Sequence, residues 1–423
     1  MSPRKALLAV LFGVFVLCVL ASVISYRVRP LGLITGDGKS YYAWLRSVAL
    51  DGDLDFRNDY LVIYPPEPLP PDVGRITPRG LVNNKYPVGF AVAAAPGFLV
   101  GHGLALLVGQ PANGVSAPYQ FAVTIWLQLL TLTALFFLWR ALTRLGSDGW
   151  VAALIVGSAI LCTNLLHYTA RPAMAHAPGF AALCFAVYCG ARSLEDSARC
   201  SRWLITLGGC LGLAVIARPS SISVVPFFLV LTLPVLRQSF RNWLLPAIAL
   251  LGVVAIQVSA MSLLWGRLTF SGYSEEGFTA GIAGVANTLF SHRHGVFIYH
   301  PWYLATLLTC VAAMVTHGTR RLAGGAVASF AILAAINGTW WAWWFGDSFG
   351  NRAFVEMIAV LVVPVALWVT RAARARPRFI RAVATALIVL AAGNALLWSG
   401  YILRRYPADG QHTIADAYLW PWR

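Results

Sequence analysis

Apolar runs long or apolar enough to cross a bilayer follow one another from end to end of this chain, separated by short connections rich in arginine. Each crossing needs about 20 apolar residues to span roughly 30 Å of hydrocarbon. Where no water can satisfy a peptide group, a segment of this kind must be helical. The runs lie near residues 6–24, 118–139, 149–166, 178–192, 203–217, 219–236, 243–264, 298–316, 323–341, 353–370 and 380–401, which makes about eleven. The fold class predicted is therefore an all-α polytopic membrane protein. With 58% of residues hydrophobic and 11% charged, a soluble globular enzyme is excluded. The formal net charge of +16 does not describe a nucleic-acid face, because the cations punctuate the apolar runs instead of clustering.

Those cations set the orientation. Arg140 with Arg144, Arg192 to Arg202, Arg237 to Arg241, Arg320 with Arg321, and Arg371 to Arg381 all fall on one face if the helices alternate. The positive-inside rule makes that face cytoplasmic, with the N-terminus on the same side and the C-terminus outside. Arg4 and Lys5 precede a first run too long for the core of a signal peptide, so it reads as a retained helix. Residues 88–108 are apolar enough to cross, but counting them would invert the charge bias of every later loop. Interrupted by Pro96 and Gly97, they are expected to form a helix at the interface or dipping into it. The outer face then carries the segment 27–117, the loops 167–177, 265–297 and 342–352, and the tail after Leu403. The seven cysteines, at 18, 162, 184, 189, 200, 210 and 310, lack the paired spacing of a metal site, and no disulfide is expected.

Chemistry must then sit at the outer membrane surface. The segment Thr35-Gly36-Asp37-Gly38-Lys39-Ser40-Tyr41-Tyr42 lies about a dozen residues beyond the first helix and holds Asp37 near the bilayer. On composition alone, Asp37 as a helix cap and Asp37 as a catalytic carboxylate stand level. An acid beside a membrane cavity is costly to keep unless it is paired or used, which favours the second reading. The acidic run Asp51, Asp53, Asp55 and Asp59 invites calcium, but Phe56 and Val62 stand where an EF-hand needs Gly and Glu. It reads as a solvated turn or capping cluster. Lys85, in Lys85-Tyr86-Pro87, would project at headgroup depth, either snorkelling or meeting a lipid phosphate. Arg171 and His176 share the loop 167–177, and Arg218 stands between two spans, where it must be hydrated, paired or phosphate-bound. The stretch Trp340 to Trp344 reads as an interfacial belt, although Asp347 and Arg352 bracket a Gly-flanked turn beyond it and aromatic faces also suit sugars. His292 and His294 have no nearby carboxylate to complete a ligand set, so no metal is predicted.

With these features in place, the chain resembles the GT-C superfamily of membrane glycosyltransferases, close to the protein mannosyltransferase and lipid A aminoarabinose transferase branch. The likeness rests on Gly36-Asp37-Gly38 after the first helix, Lys85 to Pro87 opening an interfacial helix, the loop Arg171 to His176, and the turn Asp347 to Arg352. It implies a catalytic module over 1–240, variable helices over 241–423, and two juxtamembrane helices in the first outer loop, at 40–50 and 88–108. The second acidic residue of the family is missing, since residues 167–177 contain no Asp or Glu and His176 stands in that neighbourhood. The implied location is a bacterial inner membrane, and the implied donor is a sugar on a polyprenyl phosphate or, in some members, a diphosphate. Asp37 would act as base, with Lys85, Arg171, Arg218 and Arg352 receiving the phosphate. Tyr41, Tyr42, His176, Trp343, Trp344 and Asp347 would line the sugar and acceptor side. The acceptor would be a protein, lipid or glycan hydroxyl; no cofactor and no nucleic acid is implied. Two other readings stay open: a flippase or transporter, for which Asn164, Gln257, Glu356 and Asn394 would supply mid-membrane polar groups, and a surface-glycan polymerase or ligase.

Overall fold

In the computed structural model, residues 1–28, 32–65, 73–273, 276–403 and 414–415 are described. Helices follow in the order α1 (Pro3–Val28), α2 (Gly38–Arg46), α3 (Arg57–Ile63), α4 (Gly89–Leu107), α5 (Ala117–Arg144), α6 (Gly149–Leu161), α7 (Leu165–Ala170), α8 (His176–Glu195) and α9 (Cys200–Ala217). They continue as α10 (Val225–Leu236), α11 (Phe240–Trp265), α12 (Gly281–Phe290), α13 (Val296–Tyr299), α14 (Pro301–Met314), α15 (Arg320–Thr339), α16 (Ile358–Ala375) and α17 (Pro377–Ile402). Short 3-10 turns, Pro219–Val224 and Arg352–Met357, lead into α10 and α16. Among the described residues ten helices are long and apolar enough to cross a membrane.

Nine of the expected runs appear among those ten. The run at 149–166 instead ends as α6 at Leu161, and the run at 298–316 is divided at His300-Pro301 into α13 and α14. The first break leaves backbone groups without helical partners, and a buried amide answers it. The Asn394 Nδ2 donates to the carbonyls of Leu161 and Thr163 at 2.9 and 3.0 Å. Residues 88–108 form α4, which is itself long and apolar enough to cross. Its contacts show where it lies: Gly101 abuts Tyr119, Gly97 abuts Val123 and Trp126, and the Trp126 indole donates to Ala93 at 2.8 Å. It therefore runs antiparallel along the first half of α5 and leaves the Arg140–Arg144 half to α8, whose Tyr188 faces the Arg140 guanidinium.

The basic connections gather at one end of the bundle. There Pro3 touches Gly149, Arg144 pairs with Glu195, Ser147 bonds Thr370 at 3.0 Å, and Arg371 donates to the His317 carbonyl. The loops expected outside gather at the other, where the Ile414 amide donates to the His292 carbonyl at 3.0 Å. The Arg352–Ala375 segment is almost wholly buried and forms the axis, whereas α11 and α17 keep most of their apolar surface on the outside of the bundle.

A small-residue seam joins α9 to α11. A Cβ at Gly208 would lie 2.1 Å from the Pro246 carbonyl, and one at Gly212 would lie 2.8 Å from Val253. Between apolar helices such close approach takes the place of a hydrophobic driving force. This seam fixes the end of α9, and with it Arg218. Gly208→Ala should therefore lower stability in detergent by about 1–3 kcal/mol through overpacking. The adjacent Gly209→Ala, which meets nothing within 4 Å, should not. Thermal melts of the two variants check the pair.

Candidate functional site

Asp37 ends the sharp turn that starts α2. Gly36 takes φ +56°, and the turn is closed by the Gly38 amide on the Thr35 carbonyl at 3.1 Å. A Cβ at Gly38 would lie 2.0 Å from the Ala173 carbonyl, so only glycine lets the 171–175 loop come this close. Asp37 holds the N-cap position, yet its side chain makes no capping hydrogen bond. Its Oδ2 instead accepts from Arg352 Nη2 at 2.5 Å. The side chain of Asp37 keeps 34% of its surface exposed, so it can still be approached, while that of Arg352 keeps 13%. Withdrawal from bulk water on its own raises the carboxyl pKa of Asp37. Arg352, the Tyr86 hydroxyl and the more distant Lys85 together outweigh it and hold the group below the usual carboxylate range.

Arg352 is placed by a locked turn. Gly350 has φ +63° and packs where a Cβ would meet His300, the Asn351 Oδ1 accepts from the Ala353 amide at 3.2 Å, and Asn164 Nδ2 donates to the Asn351 carbonyl at 3.0 Å. One turn further along the same segment is Glu356. Its Oε1 lies 3.1 Å from His176 Nδ1 and 3.5 Å from Arg218 Nε. Arg218 Nη1 lies 2.8 Å from the same imidazole nitrogen and 3.0 Å from Nε2. The guanidinium of Arg218 sits 5.8 Å from the ring centre of Phe345, which has φ +56°.

Tyr41 lies between the two clusters. Its phenol is within electrostatic reach of Arg218, Asp37, Arg352 and Glu356, and removal from water holds it above its ordinary pKa, so it stays a neutral hydrogen-bonding group. Its ring centre is 4.7 Å from that of Tyr86. Lys85 completes this rim: it pairs with Glu276 of the loop after α11 and lies 5.5 and 5.6 Å from the ring centres of Tyr86 and Tyr273. Arg171 donates to the Thr35 hydroxyl at 2.9 Å, beside the Asp37 turn. The structure thus brings Asp37, Tyr41, Lys85, Arg171, His176, Arg218 and Arg352 to one end of the bundle, from segments far apart in sequence.

The other expected residues have partners of their own. Tyr42 faces away from Asp37, packs on Phe98, is fully buried, and donates to the Gly114 carbonyl at 2.5 Å. Trp343 and Trp344 use their carbonyls: the first accepts from Thr288 and Asn351, and the second lies 2.9 Å from His294 Nδ1. The ring of Trp344 carries Arg293 at 4.2 Å. Asp347 accepts from the Tyr401 hydroxyl at 3.0 Å, on the α17 side of the turn. The acidic run wraps Arg46, which reaches Asp51 at 2.7 Å and Asp59 at 2.8 Å. Burial raises the Asp59 carboxyl to about 6 against the opposing pull of Arg46. Among the described residues no three His, Cys, Asp or Glu side chains come together as a metal would need.

Two carboxylates at the site escaped the sequence reading as site residues. Glu356 was weighed only as a transporter's mid-membrane group, although its spacing of four from Arg352 in an apolar segment was a signal that both face one way. Glu276 carried no local signal. The remaining mid-membrane polar groups are structural ties: Gln257 accepts from the Val88 amide and donates to the Phe270 carbonyl, both at 2.8 Å, and Asn164 and Asn394 hold the broken helices.

Neither a family model nor a curated protein matches the chain. Among solved structures it is similar to ArnT from Cupriavidus metallidurans in the apo state, with a TM-score of 0.53 at 14% sequence identity, over 97% of this chain and 68% of that one. The likeness is one of fold, and it agrees with what the Asp37 turn and the two helices of the first outer loop implied. The chain has the fold of that ArnT structure.

Proposed function

We propose that this protein transfers a sugar from a polyprenyl-phosphate carrier to a hydroxyl acceptor at the outer face of a bacterial inner membrane. The observation that carries the reading is the Asp37–Arg352 pair, with a third of the Asp37 side chain accessible and Lys85, Arg171 and Arg218 around it, at the end of the bundle opposite the basic connections. The positive-inside rule makes that end periplasmic. No nucleotide-sugar pool exists there, whereas a lipid carrier delivers its sugar at headgroup depth. The GT-C fold supports the same class of chemistry.

The reaction is written as a single inverting displacement. The acceptor oxygen forms a bond to the anomeric carbon as the bond from that carbon to the phosphate oxygen breaks. The acceptor proton passes to Asp37, and the electron pair of the broken bond leaves with the phosphate. A carboxylate tied to Arg352 is a weak base in isolation, so the step depends on the acceptor proton becoming acidic as its oxygen attacks. The cations serve the leaving group. A preorganised donor aimed at developing charge is worth about 2.7–4 kcal/mol. Tyr41 would meet sugar or acceptor hydroxyls, and His176, held by Glu356 and Arg218, would set the position of Arg218. Which sugar moves, and whether the acceptor is a protein, a lipid or a glycan, is a matter for mass spectrometry of envelope glycans from a deletion strain.

Asp37→Asn removes the proton acceptor while keeping the shape, and transfer should fall by about 10²–10⁴ with insertion and folding retained; near-normal turnover would remove Asp37 from its role. Because Arg352 helps hold Asp37 ionised, activity should show no acid limb from this group between about pH 5 and 8, and Arg352→Gln should move a limb up into that window, activity being lost as pH falls through the raised pKa. A pH–rate profile of the two proteins measures this. Lys85→Ala and Arg218→Ala should each weaken lipid-donor binding by about tenfold or more. Arg320→Ala, exposed at the basic end, should leave it unchanged. Equal losses would count against the orientation.

A further inference from the structure

Three of the four cations expected to hold the phosphate are matched by carboxylates of the chain's own. Arg352 is matched by Asp37, Lys85 by Glu276, and Arg218 by Glu356. A site built only to attract an anion would not set an acid against three of its four cations, because every such acid weakens its hold. The arrangement makes sense when charge is followed through the reaction, on the reading just given. The donor phosphodiester carries one negative charge, and the departing lipid monoester carries close to two near neutral pH. Cations that stabilise the leaving group therefore grip the product harder than the donor. Binding the product too well slows turnover, since release often limits it.

We propose that Glu356 and Glu276 are release residues for the lipid monophosphate, carboxylates that reclaim Arg218 and Lys85 and so loosen the grip on the product. Glu356 does this without moving. Its side chain is 5% exposed and is held on the 3-10 turn before α16, with Oε1 against both Arg218 Nε and His176 Nδ1. It stays beside the Nε edge of the guanidinium, whose Nη1 lies against His176, and stands as a fixed negative neighbour. Glu276 does it by exchange. It belongs to the loop between α11 and α12, outside the helical frame, and gives Lys85 up to the phosphate and takes it back. Asp37 is occupied with the acceptor proton at that stage, which leaves these two for release.

The two are positioning residues, acting through the cations, and they predict a result that a merely structural role would not. In the full chain reconstituted in lipid nanodiscs, binding of a short-chain polyprenyl monophosphate is measured for the wild type, Glu356→Gln, Glu276→Gln and the double variant Glu356→Gln/Arg218→Gln. Each single variant should bind the monophosphate about tenfold tighter, the effect of one charged contact released from competition. Its kcat should fall and its product inhibition rise. The double variant should lose the gain. Unchanged or weaker binding in the single variants overturns the proposal, and Glu276→Gln, a change at the rim of the bundle, keeps it open to refutation if Glu356→Gln fails to fold. A wild type that binds no polyprenyl monophosphate overturns the lipid-phosphate reading itself, an outcome distinct from tight binding that Gln fails to improve.

Discussion

The ion pair between Asp37 and Arg352 joins residues 315 positions apart and closes the site end of the bundle. Neither partner could be kept alone at this depth. A carboxylate withdrawn from water loses its charge to a proton, and a lone guanidinium must find an anion or water. Pairing solves both problems and leaves Asp37 ionised, with a third of its surface still open to a substrate. The turns on either side exist to bring the two groups together. Gly36 and Gly38 let the α2 start press against Ala173, and Gly350 and Asn351 set the Arg352 turn against His300 and Asn164.

The same constraint explains why helices stop near the site. Arg218 follows the last residue of α9, α6 gives way to α7 after Leu161, and α16 begins as a 3-10 turn carrying Arg352 and Glu356. A helix end frees backbone groups and aims side chains along the axis, and it is tolerated in a membrane only where protein groups satisfy what is freed. Asn394, Asn164 and Gln257 do so here by bonding to main-chain atoms. Polar residues that look like a conduit in a hydropathy trace are thus the means by which broken helices are held. The charged groups are gathered apart from them, at one end.

Legibility followed the range of the interaction. Nine expected spans, the separation of basic from acidic connections and the α4 helix could be read because each depends on a local stretch of apolarity or charge. The two interrupted runs have the right composition but are cut at Cys162–Asn164 and at His300-Pro301. The Pro301 break leaves a mark in the sequence, whereas the Cys162 break depends on an amide from Asn394, 233 positions away from Leu161. Of the two readings of Asp37, geometry speaks only to the cap, since a cap would bond to its own helix and Asp37 reaches Arg352 instead. Tyr41 and Tyr42 are adjacent and alike, and only the packing of α2 against α4 sends the first toward Arg218 and the second toward Phe98 and Gly114.

By itself the sequence determined that the chain crosses a membrane many times, which end of each helix carries the cations, and that an acid follows the first helix at the surface. These are sums over neighbours, and hydration free energy is summed locally. Tertiary structure alone decided which carboxylate meets which cation: Glu276 with Lys85, Glu356 with Arg218 and His176, Asp37 with Arg352. Pair energies fall off within a few ångströms in these surroundings, and such distances between remote segments exist only once the helices have packed.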